Sequence, residues 1–170
     1  MALILPVEDK NPEFGVNVFI AENATIVGDV TCGEDCSFWF QSVVRGDVNF
    51  IKMGNKVNVQ DGAIIHGTFK TAGTTIGNNV SIGHRALVHG CTIEDNVLIG
   101  MGAIVMDKCV IGKNSIIGAG SVVLENTIVE PGSIYAGIPA KKVKDLDQEK
   151  SERLLDGISN NYVKYAKWFK

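Results

Sequence analysis

A six-residue repeat of apolar side chains runs through most of the chain and restricts its possible folds more than any other feature. Four positions after each apolar residue the side chain is small or β-branched. Between the repeats lie Gly, Asp and Asn, which tolerate tight turns. A short fixed period of this kind is the sequence signature of a parallel β-helix. With one slip of a single residue before Ile93, the repeat positions are Ile20, Ile26, Cys32, Phe38, Val44, Ile76, Ile82, Val88, Ile93, Ile99, Val105, Ile111, Ile117, Val123 and Val129.

The period predicts an all-β solenoid with a triangular cross-section. Each hexad supplies one strand and one turn, so three hexads form a coil of about 18 residues, and coils stack at a strand spacing of about 4.8 Å. We expect these coils from about Val16 to Ile134. The register breaks between Phe50 and Gly73, where loops interrupt the repeat. Function is often located in loops that a rigid scaffold positions.

The period changes after the segment Gly137-Ile-Pro-Ala-Lys141. Apolar residues then recur at spacings of three and four, which predicts an amphipathic helix from about Asp145. The stripe on this helix consists of Leu155, Ile158, Tyr162, Tyr165 and Phe169. We therefore predict two units, a β-helix domain over residues 1–140 and, over residues 141–170, a C-terminal helix packed on it.

Composition excludes several classes of partner. The chain of 170 residues carries 16 Lys and Arg against 19 Asp and Glu, a formal net charge of -3, with no block of like charge. This balance argues against nucleic acid or an anionic membrane surface as partner. There is no basic leader, no apolar run long enough to span a membrane and no CxxC pair among the four cysteines. We expect a cytoplasmic protein without a disulfide framework.

The three histidines of the chain, His66, His84 and His89, are clustered in one short stretch near its middle. Neutral imidazole is a common zinc ligand, and three histidines with one open position form a catalytic coordination set. A lone histidine is more often a surface or core residue, but the clustering of all three favours a divalent-metal site, with Zn²⁺ as the expected ion.

The spacing of these histidines indicates a site shared between subunits. His84 and His89 are five residues apart, about 16 Å on extended backbone, so one chain cannot place both on one zinc ion. A second copy must supply one of them, and a trimer is the natural closed assembly for a three-sided prism. The distance from His66 to His84 equals the length of one regular coil, and simple repeat counting would stack these two.

Several motifs resemble the gamma-class carbonic anhydrase family, in its compact branch without an acidic loop. They are Val44-Arg-Gly-Asp47, Asn58-Val-Gln-Asp-Gly62, Ile65-His66, the stretch Ile82-Gly-His-Arg-Ala-Leu-Val-His-Gly-Cys91 and the closing Gly137-Ile-Pro-Ala-Lys141. The resemblance implies a left-handed β-helix with a C-terminal α-helix and a homotrimer. It also implies Zn²⁺, with Fe²⁺ or Co²⁺ as alternatives. In such proteins the positions of His66 and His89 bind from one subunit and that of His84 from its neighbour.

The resemblance also implies roles for other residues. Arg45 and Asp47 lie two apart on a strand, so they share a face, and in the family they and Asp61 form an ion-pair cluster across the trimer interface. The position of Gln60 hydrogen-bonds the metal-bound water, and Asn58 shares its face and can support it. Tyr162 matches a tyrosine near the metal, although a core role in the helix stripe fits it equally well.

The expected function is attack of metal-bound hydroxide on CO2 to give bicarbonate. The most active relatives carry proton-shuttling glutamates on an acidic loop, whereas residues 67–75 contain no acid, so hydration is expected to be slow. Three alternatives remain open. They are hexapeptide acyl transfer, ester or thioester hydrolysis, and a non-catalytic trimeric scaffold with a structural zinc.

Overall fold

The computed structural model describes residues 1–169, and its strands form the three faces of a prism. Two long strands, Thr25–Cys32 and Val43–Met53, bend around an edge and contribute to both the first and the second face. The first face also contains Leu3–Leu5, Ile64–His66, Leu87–His89, Ile104–Val105 and Val122–Val123. The second face also contains Glu13–Phe14, Thr74–Ile76, Thr92–Ile93, Val110–Ile111 and Ile128–Val129.

The third face shows how many coils the chain makes. Within residues 1–169 it holds seven parallel strands and one antiparallel strand, so there are seven coils. The parallel strands are Phe19–Ile20, Ser37–Phe38, Asn58–Val59, Ser81–Ile82, Leu98–Ile99, Ile116–Ile117 and Ser133–Gly137. The predicted solenoid of hexapeptide repeats with a C-terminal helix is confirmed. Its first strand begins at Leu3, earlier than the expected start near Val16.

The repeat positions fill the interior of the prism. All of the predicted inward residues are buried except Ile20, which is half-buried in the first coil. The small side chain that the repeat places four residues further on does not point inward where the repeat is irregular. Thr92 is exposed there and Cys91 takes the inward place. All four cysteines are buried free thiols, as expected for small core residues.

Irregular coils displace the register in the middle of the prism. Val44 pairs with Ile65, and Ile65 pairs with Val88, so both of these coils are longer than a regular one. Val88 then pairs with Val105 across a coil that is slightly shorter than a regular one. The longest of these coils contains the loop of residues 67–73. Because of this loop, His66 stands opposite His89 and not opposite His84, so the simple repeat count is wrong here.

One edge of the prism is built from residues in the left-handed region. Seven coils place one residue each there, with φ between 54° and 67°. Asn is frequent among them, because its short polar side chain tolerates this conformation. These residues are Asn17, Asp35, Lys56, Asn79, Asn96, Asn114 and Gly132. The same edge receives the C-terminal helix.

Helix α1, Gln148–Ala166, runs back along this edge from the last coils towards the first. Its side chains form hydrogen bonds with edge residues of three coils. Asn114 contacts Glu152, Asn79 contacts Asp156 and Lys56 contacts Asn160. A short 3-10 turn, Lys167–Phe169, follows, and Lys170 lies outside the described residues. No helix within residues 1–169 is long and apolar enough to cross a membrane.

The segment before the helix differs from the sequence prediction. Ala140–Asp145 forms an antiparallel strand on Ser133–Gly137, and the helix begins only at Gln148. Asp147 caps it by accepting a hydrogen bond from the backbone N–H of Lys150, 3.0 Å away. The added strand covers the last parallel strand of the third face, whose backbone groups would otherwise be an open sheet edge.

Candidate metal site

The structure brings His66 and His89 together at the end of the first face. They are register partners on neighbouring coils, and their rings meet edge to face with centroids 5.1 Å apart. His66 Nδ1 lies 3.1 Å from His89 Nε2. Both side chains are partly exposed, at 17% and 31% of their surface. The site therefore lies on the surface of the single chain.

Each of these rings is held by a carboxylate through its other nitrogen. His66 Nε2 lies 3.0 Å from Asp47 Oδ1, and His89 Nδ1 contacts Asp107 Oδ1. Burial raises the pKa of both carboxyl groups, but the hydrogen bonds from the histidines and from Arg45 or Thr68 outweigh it, and the net pKa is lowered in each case. Both acids are therefore ionised at neutral pH and can only accept hydrogen bonds.

These contacts fix which nitrogens carry protons. A carboxylate accepts, so the nitrogens facing Asp47 and Asp107 are N–H groups, and the two facing nitrogens of neutral rings are both lone pairs. Two lone pairs this close repel each other unless a cation lies between them. Two nitrogens bound at 2.0–2.1 Å to one tetrahedral zinc lie about 3.3–3.4 Å apart. The pair thus fits two ligands of one metal ion, in the carboxylate–histidine arrangement usual around metals.

His84 lies on another edge of the prism and contacts neither of the other histidines. Its Nδ1 is 2.9 Å from Asp61 Oδ2, which leaves Nε2 for a ligand, and its side chain is 42% exposed. Asp61 and His84 are stacked on neighbouring coils, since Arg85 N–H donates to the carbonyl of Asp61. Within residues 1–169 of one chain, no three His, Cys, Asp or Glu side chains are grouped so that they could hold a metal.

Gln60 is held in place by a buried chain of hydrogen bonds. Its Nε2 donates to Asn58 Oδ1 at 2.9 Å, and Asn58 Nδ2 donates to Ser81 Oγ at 2.8 Å. All three side chains are buried. The amide orientation is fixed by Asn58, which leaves the oxygen of Gln60 as the group available to a ligand. Asn58 thus supports Gln60 as the sequence suggested.

Tyr162 lies on the same side of the prism as Gln60 and His84. The three residues line a cavity of about 380 Å³ together with Met101 and Ile158. The ring of Tyr162 also packs edge to face on Trp39, at 5.3 Å between centroids. Burial, followed by the charge of Asp61, raises its pKa to about 12, so the hydroxyl keeps its proton at neutral pH. Tyr162 therefore belongs both to the helix packing and to the cavity wall.

Arg45 and Asp47 form an ion pair, as their shared face predicts. Asp61 does not join them in the single chain, because it lies with His84 at the other edge of the first face. The predicted site residues thus divide into two groups. One comprises Arg45, Asp47, His66 and His89. The other comprises Asn58, Gln60, Asp61, His84 and Tyr162.

Asp107 and Thr68 were missed in the sequence. Asp107 lies 18 residues after His89. The coil between them is slightly shorter than a regular one, so Asp107 stands one residue past the register partner of His89, and repeat counting alone does not single it out. Thr68 Oγ1 contacts Asp107 Oδ2 from the irregular loop. The loop lies outside the repeat, so no repeat position predicts where it folds. The sequence therefore contains no pattern that would identify Thr68 as a partner of Asp107.

Comparison with known proteins agrees with the fold and its motifs. Residues 90–125 match the family described as bacterial transferase hexapeptide (six repeats). The chain is 42% identical to the carbonic anhydrase of Geobacillus kaustophilus over 168 residues, covering 99% of this chain and 91% of that protein. It is 46% identical to the mitochondrial gamma carbonic anhydrase 3 of Arabidopsis thaliana, covering 96% of this chain and 64% of that protein.

A solved structure has nearly the same fold over its whole length. The hexapeptide transferase family protein from Anaplasma phagocytophilum matches with a TM-score of 0.93 and 36% identity, covering 99% of this chain and 98% of the other. Together with the histidine pair, its two carboxylates and the repeat, these similarities lead to one conclusion. The chain belongs to the gamma-class carbonic anhydrase family.

Proposed function

We propose that the chain is the subunit of a homotrimeric zinc enzyme that hydrates CO2 to bicarbonate. His66 and His89 would hold Zn²⁺ together with His84 of the partner subunit. The observation that carries the proposal is the pair of imidazole nitrogens 3.1 Å apart, whose opposite nitrogens are both held by carboxylates. Membership of the gamma-class family supports CO2 as the substrate.

In the proposed reaction, the metal and the protein side chains have different roles. Bound zinc supplies one element of the chemistry, because it lowers the pKa of a coordinated water from about 15.7 to about 7 and provides hydroxide at neutral pH. Asp47, Asp61 and Asp107 fix the tautomers of the three histidines. Gln60 offers an oriented amide oxygen in the cavity that it lines together with His84 and Tyr162.

The outward surface of the first face supports a trimer. Its strands carry a ladder of apolar residues, Val43, Ile64, Leu87, Ile104 and Val122, paired coil by coil. Ile64 and Ile104 are 43% and 36% exposed. The second face instead presents Thr and Lys over several coils, and helix α1, which lies along the edge next to the third face, contacts strands of that face. An exposed apolar patch of this kind marks an interaction surface.

The positions of the two residue groups fit a head-to-tail contact across this face. His84 lies at the edge where the chain enters the first face, and His66 and His89 lie where it leaves. A heterologous contact that closes into a ring would place the entry edge of one subunit against the exit edge of the next. Each interface would then bring one complete set of three histidines together.

The test is metal analysis and activity of protein purified without chelator. We expect one zinc per chain, a trimer in sedimentation and measurable CO2 hydration. His84→Ala should lose activity in every buffer, because the other subunit cannot replace that ligand. A metal-replete trimer that shows no CO2 hydration at any buffer concentration would contradict the proposal and favour hydrolysis or a structural zinc.

Acyl transfer is the second candidate, and the cavity beside His84 favours it. A volume of about 380 Å³ is of the size that binds larger organic ligands and exceeds what CO2 requires. The structural similarity to a hexapeptide transferase family protein points the same way. Release of free thiol from acetyl-CoA, with and without an amine acceptor, would separate transfer and thioester hydrolysis from CO2 hydration.

A further inference from the structure

Asp107 lies on the coil that follows His89 and contacts this member of the histidine pair. Both of its carboxylate oxygens are engaged, Oδ1 by His89 Nδ1 and Oδ2 by the hydroxyl of Thr68. Its side chain is only 19% exposed, less than that of His89. A carboxylate held at both oxygens cannot rotate freely, so it presents a fixed acceptor to the imidazole.

Gly90 shows that the backbone is adapted to this contact. It adopts a φ of +53°, and a Cβ built there would lie 2.5 Å from Asp107 Oδ1. A side chain at this position would therefore collide with the carboxylate that holds His89. The residue after the histidine thus leaves room for the aspartate of the next coil.

Thr68 connects this contact to the irregular loop. Its backbone oxygen accepts from Asn49 Nδ2 at 3.0 Å, and its N–H donates to the carbonyl of Ala72 at 2.8 Å. Its hydroxyl reaches out of the loop to Asp107. Thr71, in the same loop, instead donates to the carbonyl of Phe69 at 3.0 Å and stays within the loop. The loop of residues 67–73 is therefore tied to the histidine through Thr68.

We propose that Asp107 is a positioning residue that sets the metal affinity of the site through His89, and that Thr68 of the loop orients it. The inference rests on the proposed metal site, since it assigns a residue to one of the ligands. Loss of the carboxylate frees the Nδ1–H of His89, so the ring can rotate or change tautomer and present the wrong nitrogen. Loss of the Thr68 hydroxyl leaves the carboxylate in place but less constrained.

The experiment compares two pairs of variants. Asp107→Asn is matched with Asp95→Asn, which alters a corner aspartate on another edge that accepts from the backbone of Asn78. Thr68→Val is matched with Thr71→Val. Zinc affinity is measured by competition with a chromophoric chelator, and the visible spectrum of the Co²⁺-loaded protein reports ligand geometry. Imidazole ¹⁵N NMR of metal-free protein reports the tautomer of His89.

We expect Asp107→Asn to weaken zinc binding about 10–100-fold, the usual range for a residue that orients a ligand. Thr68→Val should weaken it less, and both controls should match the unmodified chain. In metal-free protein, Asp107→Asn should shift the His89 tautomer while leaving that of His84 unchanged. Equal zinc affinities for all variants of a chain that binds zinc would overturn this inference alone. A chain that binds no zinc would overturn the proposed function as well.

Discussion

At the scale of single residues, Asn58 decides the orientation of Gln60. It accepts from Gln60 and donates to Ser81, and it is almost fully buried, at 1% exposure. A side-chain amide has both a donor and an acceptor, so one buried Asn can satisfy two polar neighbours at once. Neither neighbour would keep its partner if Asn58 became apolar.

We therefore expect Asn58→Ala to destabilise the protein by about 1–3 kcal/mol, the cost of leaving buried polar groups unpaired. It should also lower CO2 hydration, because Gln60 loses its fixed orientation. Urea denaturation and the hydration rate are the measurements. Ser81→Ala is the control, since it keeps the bond between Asn58 and Gln60. If Ser81→Ala loses as much activity as Asn58→Ala, orientation of Gln60 is not the cause.

A second residue-scale question concerns the proton that hydration releases. Residues 67–75 carry no acid, yet Glu125, three coils beyond the loop, lines a cavity of about 300 Å³ beside His89 and Asp107. If proton removal limits turnover, a small imidazole buffer should accelerate it by taking over this role. We expect turnover of the unmodified protein to rise with imidazole concentration and that of Glu125→Gln to rise more steeply. Turnover independent of buffer in both proteins would exclude this limitation.

At the scale of elements, the contact face of helix α1 differs from its predicted apolar stripe. Leu155 is buried as expected, but Ser151, Ser159 and Ala166 are buried too, while Phe169 is 55% exposed. Small residues let the helix approach the edge of the prism closely. The polar contacts with the left-handed residues of the coils then fix its position along that edge.

The corners of the coils impose their own requirement on the sequence. Asn126 is exposed and has a φ of +61°. Replacing it with valine should cost about 1–2 kcal/mol, because the left-handed conformation brings Cβ too close to the following carbonyl oxygen. Asn126→Gly should cost much less. Midpoints of urea unfolding provide the comparison, and equal midpoints for the two variants would show that backbone strain is not decisive here.

At the scale of the whole molecule, two isoleucines test the assembly. Ile104 points outward on the first face and Ile128 on the second, with 36% and 71% exposure. Ile104→Asp should dissociate the trimer, because it places a charge in the proposed apolar interface, whereas Ile128→Asp should leave the trimer intact. Sedimentation velocity measures both. Dissociation by Ile128→Asp alone would place the interface on the second face.

The amino-acid sequence was enough to predict the solenoid, its core positions and the three histidines of the proposed metal site. The repeat forces inward and outward side chains into fixed places, because each strand has a period of two and each coil closes after three turns. Residues such as Ile99 and Val123 could therefore be assigned to the core without a structure, and both are fully buried.

Which of the site residues contact each other depends on the path of the chain through the irregular coils. The irregular coils displace the register, so His66 stands opposite His89, and the loop brings Thr68 to Asp107. This path also separates His84, with Asp61, from the other two histidines. Local preferences set the strands and turns, but the length and path of an insertion decide which coils face each other, and no repeat pattern carries that information.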